Sequence, residues 1–198
     1  MSTKIYPIPL WGRAGERAPG KAWPGLAALC ALAIWAAPAQ ATDPLAFKGQ
    51  TIGAPITAIA LDPRFECRRV STPTADQVCT LRPKEQETIA GVAVTSLYYF
   101  YDRARLTGIV IGLPEKDFQA VAQALEAKYG PAQASQEQIR NLKGERFENR
   151  TLTWRQGPAK LQAQRYAGQL DRSLIRLSDE AAAERIRQRR AQGPGQDL

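Results

Sequence analysis

Between residues 91 and 130 the spacing of apolar positions changes once, and that change organises the chain. "VAVTSLYYFY" (92–101) is rich in β-branched and aromatic residues and reads as a strand. Asp102-Arg103-Ala104 can turn the chain, and "RLTGIVIGL" (105–113) makes the return strand. Apolar residues occupy alternate positions and part of the other set too. The pattern therefore predicts a central hairpin covered on one side and partly shielded on the other. From Phe118 the spacing becomes helical, with Phe118, Val121, Ala122, Leu125 and Tyr129 on one face. Pro114 takes the first helical position, and Glu115 and Asp117 suit the positive first turn. Lys128 suits the last turn, Gly130 the left-handed cap, and Pro131 forbids continuation.

The flanking patterns are weaker. "IGAPITAIAL" (52–61) predicts one or two helical turns, stopped by Asp62-Pro63. "QVCTLR" (77–82) predicts a short strand entering at Cys79. Residues 132–149 are polar and read as a long exposed connection. Three strands follow, over 150–156, 159–167 and 171–178, with Gly157-Pro158 turning the first into the second. Ser178 with Asp179 and Glu180 starts a last helix with little apolar surface beyond Ile186. Strands and helices do not alternate, which excludes a parallel sheet. The expected class is α+β: an antiparallel sheet of hairpin, helix and three-strand meander, with helices packed on one face and one disulfide.

The N-terminus changes how the rest is read. Lys4, Arg13, Arg17 and Lys21 precede an apolar run, Leu26 to Ala37, and Pro38 then leads to Ala39-Gln40-Ala41. That is the order of a secretory signal cleaved after Ala41. The run is shorter than the ~20 residues of a membrane-spanning helix, and the basic region has no arginine pair of the twin-arginine type. Leu29 precedes Cys30 and the run continues past it, so no lipidation is expected. The division is residues 1–41 as signal, 42–178 as one domain, and 179–198 as a helix with a loose tail. Losing four cations and one anion takes the net charge from +8 to +5. The remaining cations are scattered, with no basic stripe interleaved with aromatics, which excludes a nucleic-acid groove. Cleavage also leaves two cysteines, Cys67 and Cys79, expected to pair in an oxidising compartment.

Two phrases carry a resemblance. "F-x-G-x-x-I-G-A-P" (47–55) and "L-x-x-K-Y-G" (125–130), with a strand pair upstream and a Thr-Trp-Arg strand downstream, resemble small secreted bacterial α+β proteins without a characterised role. Their layout is similar to that of outer-membrane assembly lipoproteins of the BamE/SmpA type and of β-lactamase-inhibitor proteins. It implies the same fold over roughly residues 45–178 and no catalytic residue. The chain departs from the assembly lipoproteins in lacking a lipobox.

Chemistry is sparse. The chain has no histidine, the commonest general base and metal ligand. It has no nucleophile elbow, no Ser-x-x-Lys and no phosphate-cradling loop. No catalytic, cofactor or metal residue is assigned. Carboxylates at Asp62, Glu66, Glu85, Glu87, Asp102, Glu145 and Glu148 keep open a two-carboxylate enzyme acting on envelope polymers. Asn149-Arg150-Thr151 has the form of a glycosylation acceptor, expected to stay idle behind a bacterial-type signal. Tyr98, Tyr99 and Tyr101 are a candidate binding face, against the plainer reading that one set packs under the helix. Arg185, Arg187, Arg189 and Arg190 are a candidate tail for an anionic partner, against the reading that they serve the helix dipole. The expectation is an exported periplasmic or secreted binding or accessory protein. Its partner is another envelope protein or an anionic envelope component, with no cofactor and with membrane contact only during export. A carboxylate enzyme and a secreted enzyme inhibitor are the alternatives.

Overall fold

The computed structural model describes residues 43–192, so the expected signal over 1–41 and the end of the expected loose tail lie outside the described residues. The described chain opens with a small hairpin, β1 (Ala46–Phe47) and β2 (Gln50–Thr51), and one helical turn, α1 (Thr57–Ala60). A hairpin of β3 (Phe65–Thr72) and β4 (Ala75–Leu81) follows, then a two-rung hairpin of β5 (Thr88–Ile89) and β6 (Val92–Ala93). The central hairpin is β7 (Ser96–Asp102) and β8 (Arg105–Pro114). A 3-10 turn (Glu115–Asp117) leads into α2 (Phe118–Tyr129). Four strands come next, β9 (Gln133–Arg140), β10 (Arg146–Gln156), β11 (Ala159–Gln164) and β12 (Arg172–Asp179), and α3 (Glu180–Ala191) ends the described chain. Eight strands form one antiparallel sheet in the order β3-β4-β7-β8-β12-β11-β10-β9. Each half of the sheet is thus a helical segment followed by four strands, and the halves join through their last strands.

Strand alternation divides the sheet into two faces. The inner face carries Cys79, Leu97, Tyr99, Ile109, Ile111, Leu152, Trp154, Leu161, Ala163, Ile175 and Leu177, all buried in one cluster. Phe118, Val121, Ala122 and Leu125 of α2 close over it with Leu45, Phe47 and Ile59 of the lead-in. Fully burying Phe118, Val121 and Leu125 contributes about 1.5–3 kcal/mol each. The end of α2 is pinned twice. Trp154 Nε1 donates to the Gly130 carbonyl at 2.8 Å, and Tyr129 OH donates to the Ala46 carbonyl at 2.8 Å. Gly130 itself sits at φ 82°, a conformation that favours glycine.

Several expectations are corrected. The strand over 92–101 divides, because Ala90 and Gly91 turn β5 into β6 at positive φ and the chain re-enters the sheet only at Ser96. The polar stretch 132–149 is not a loop. It forms β9 and the first rungs of β10, so the meander has four strands rather than three. Both faces of β9 are exposed, so it shows no apolar alternation, and pairing to β10 alone defines it. Residues 68–72 of the disulfide loop are likewise strand β3, the opposite edge of the sheet. The packing of helices on one face does not extend to α3. Its Ala183 and Arg187 share a hollow with Phe100, Val110 and Arg176, which alternate away from the core.

Cys67 and Cys79 form a disulfide between directly opposed residues of β3 and β4, with Cα atoms 4.0 Å apart. Such a bond points to an oxidising, non-cytoplasmic compartment. Among the described residues no helix is long and apolar enough to cross a membrane.

Candidate binding face

Alternation decides the fate of the tyrosines. Tyr99 and Tyr101 are 1% and 0% exposed, in the core beside Leu97. The ring of Tyr99 meets that of Phe65 edge-on at 5.6 Å. Burial raises the phenol of Tyr99 well above its ordinary range and pushes that of Tyr101 up to about 12. Only Tyr98, 37% exposed, is presented to solvent. The three tyrosines therefore do not make one face. Tyr98 instead pairs with Phe100, ring centroids 6.2 Å apart, on the outer face.

The register extends that aromatic pair into rows. Tyr98 lies opposite Val110, Val110 opposite Arg176, Arg176 opposite Gln162, and Gln162 opposite Thr153. The neighbouring row runs from Phe100 through Gly108, Ser178 and Lys160 to Arg155. Gly108 puts no side chain on this face, and the floor dips there. A hollow of about 450 Å³ results, bounded by Phe100, Val110, Gln162 and Arg176 on the sheet and by Ala183 and Arg187 of α3. A smaller one of about 150 Å³ continues past the shared Gln162 and Arg176 to Gln164 and Thr151. Together they form an open trough with an apolar end and an amide-rich end.

α3 makes one wall through mainly polar links. Asp179 Oδ1 caps it by accepting from Ala182 N at 2.8 Å, the role expected to begin at Ser178. Ile186 is its buried apolar anchor. Arg189 pairs with the buried Asp102 at 2.6 Å, and Glu180 takes both Arg155 and Lys160. Those two cations hold the Glu180 carboxyl below its usual range. Arg187 pairs with Glu184. The arginine cluster is thus divided: Arg187 and Arg189 are engaged within the chain, Arg185 is exposed, and the side chain of Arg190 lies outside the described part. Arg176 is different. It is exposed on the trough floor, with no ion pair or side-chain hydrogen bond to a described residue.

The candidate carboxylates do not gather around this trough. Asp62 and Glu87 meet elsewhere, sharing Arg64, and Glu87 also takes Lys48 at 3.1 Å. Hydrogen bonds from Arg64 hold Asp62 below its usual range. For Glu87, burial pulls upward, but the Thr88 amide and Lys48 outweigh it and the net direction is down. Two-carboxylate hydrolysis needs one carboxyl raised as the acid, so both shifts run the wrong way. No group of three potential metal ligands occurs among the described residues. The Asn149 amide is buried, donates to Glu137 Oε1 and the Tyr166 carbonyl, and accepts from Tyr166 N, which makes it a structural clamp.

No family model, curated protein or solved structure matches the chain. The sequence alone missed Arg176, Gln162 and Gly108. Their signal was available in the alternation of "RLTGIVIGL", "AKLQAQRYA" and "DRSLIRLS", where they are interleaved with Ile109, Leu161, Ala163, Ile175 and Leu177.

Proposed function

We propose that the chain is an exported binding or accessory protein, working in the periplasm or outside the cell after loss of residues 1–41. It holds a protein or an envelope component on its outer sheet face. One observation carries this reading: the trough beside α3, where Phe100, Val110 and an unpartnered cation line one hollow and Tyr98 lies against Phe100. Aromatic residues and arginine are the side chains that most often anchor interfaces. The secreted-inhibitor reading rests on layout alone and stays secondary. The enzyme reading loses support from the downward shifts of Asp62 and Glu87.

The test is site-specific photocrosslinking in the intact envelope, with the probe at Gln162 or Gln164 in the trough, or at Glu148 away from it. A discrete species captured from the trough positions and absent from the third supports the reading. Equal capture at all three overturns it. The mass of the mature protein tests the compartment, because cleavage after Ala41 gives a chain starting at Thr42 with no free thiol.

A further inference from the structure

We propose that the trough binds a monoanionic carboxylate carried on a flat apolar body, with the carboxylate on Arg176 and the body against Phe100 and Val110. The proposal rests on the outer face being a binding face and names what that face takes. Phe100 on β7 and Arg176 on β12 both line the hollow two strands apart, which sets roughly 10 Å between the aromatic platform and the cation. A ligand with an aryl ring and a short acid arm spans that distance, and a hollow of about 450 Å³ accommodates it.

Charge selects the acid. The guanidinium fork of an arginine matches carboxylate and phosphate alike. The neighbouring cations are already committed, Lys160 to Glu180 and Arg187 to Glu184. Of the cations lining the hollow, Arg176 alone has no carboxylate partner among the described residues, and Glu180, which lines the same hollow, repels added negative charge, which favours a carboxylate over a doubly charged phosphate. Gln162, beside Arg176 in the row, offers a neutral amide to the second carboxylate oxygen or to a polar group on the arm. Gly108 provides the depth. A Cβ built there meets only the Leu177 carbonyl oxygen, at 3.4 Å, and its φ lies outside the left-handed region. A larger residue at 108 is therefore compatible with the strand and fills the hollow instead of disturbing the core.

The experiment titrates the isotope-labelled full chain with 3-phenylpropionate and with its neutral amide, 3-phenylpropionamide, following backbone amide shifts. The expected result is saturable movement at Gly108, Val110, Gln162 and Arg176, with the acid binding at least about tenfold more tightly than the amide. Arg176→Gln brings the two Kd values within about twofold, whereas Arg172→Gln, on the same strand and outside the hollow, keeps the tenfold ratio. Gly108→Val abolishes binding of both probes while the spectrum stays dispersed. Equal affinities in the wild type, an acid preference surviving in Arg176→Gln, or no shifts at the trough would each overturn the proposal. Equal affinities blocked by Gly108→Val would leave the binding-face reading standing and remove the anion. That reading is decided separately by the crosslinking yields.

Discussion

The Cys67–Cys79 bond fastens the strand that is least able to hold itself. Along β3 only Phe65 is buried, and the strand has one neighbour, β4. Its attachment therefore comes from the ladder, one aromatic ring and the crosslink. The bond joins residues twelve apart. Closing a loop of that size removes unfolded-state entropy worth about 3 kcal/mol at 25 °C, on the chain-entropy account. For a chain of this length each kcal/mol corresponds to about 2–4 °C in Tm, so reduction is expected to lower Tm by about 6–12 °C.

Reduction of the wild-type protein tests this more cleanly than substitution, because Cys79 is fully buried and its replacement would add a packing loss. Urea unfolding with and without a phosphine reductant gives the free-energy difference. Site-resolved hydrogen exchange then shows where it acts. After reduction, amides of β3 are expected to exchange faster while those of β7 and β8 keep their protection relative to global unfolding. Oxidised and reduced stabilities within about 0.5 kcal/mol of each other would refute the reasoning, since β3–β4 pairing and Phe65 would then suffice.

Three further outcomes follow from particular residues. Arg103 and Ala104 sit at φ 49° and 58° in the β7–β8 turn, a conformation costing side-chain-bearing residues about 1–2 kcal/mol each; Ala104→Gly is expected to raise the urea midpoint, and a lower midpoint would refute the strain. Asn149→Ala leaves both backbone groups of Tyr166 without their partner, and should cost about 1–3 kcal/mol in urea unfolding. The Tyr101 phenol is raised from about 10 to about 12 by burial, so its stabilising effect is complete below pH 10 and is lost as pH rises towards 12. Tyr101→Phe removes that contribution to the alkaline transition, together with a buried hydroxyl that has no hydrogen-bond partner. Unfolding monitored from pH 9 to 12 checks it, with an unchanged alkaline slope as the contrary result.

The elements legible in the sequence are those with a buried face. β7, β8 and α2 each set one side against the core, so Leu97, Tyr99, Ile109, Ile111 and the Phe118–Leu125 stripe carry clear periods. The two strands of the eight-stranded sheet that escaped notice, β3 and β9, are its edges. An edge strand outside the helix-covered area has no obligation to alternate, and "QASQEQIR" consequently reads as loop. The site was legible only in part for a related reason. A run such as Tyr98-Tyr99-Phe100-Tyr101 shows that two faces differ but not which face is inside. That phase is set across the sheet, by Cys79 and Ile109 flanking Tyr99. The packing of α3 was hidden because Ile186 is its one buried apolar anchor and the rest of its attachment is ionic.

The areas explain why this fold leaves a face available. Eight strands at about 4.8 Å spacing span roughly 34 Å between the outermost strands. A twelve-residue helix is about 18 Å long and about 10 Å across, so one helix cannot cover a face of that width. On the inner face α2 is supplemented by Leu45, Phe47 and Ile59, and the surface beneath is apolar throughout. On the outer face α3 works alone, and beyond it the sheet presents Thr151, Thr153, Gln162 and Gln164. Those residues are stable in water and would be costly to bury without partners, which argues against a permanent apolar subunit interface there. The apolar component of the outer face includes Val78, Tyr98, Phe100 and Val110 on one side of the cation at Arg176 and Leu174 in the smaller hollow on the other. A surface that is polar where it is broad and apolar in and beside its hollows suits an occupant that comes and goes.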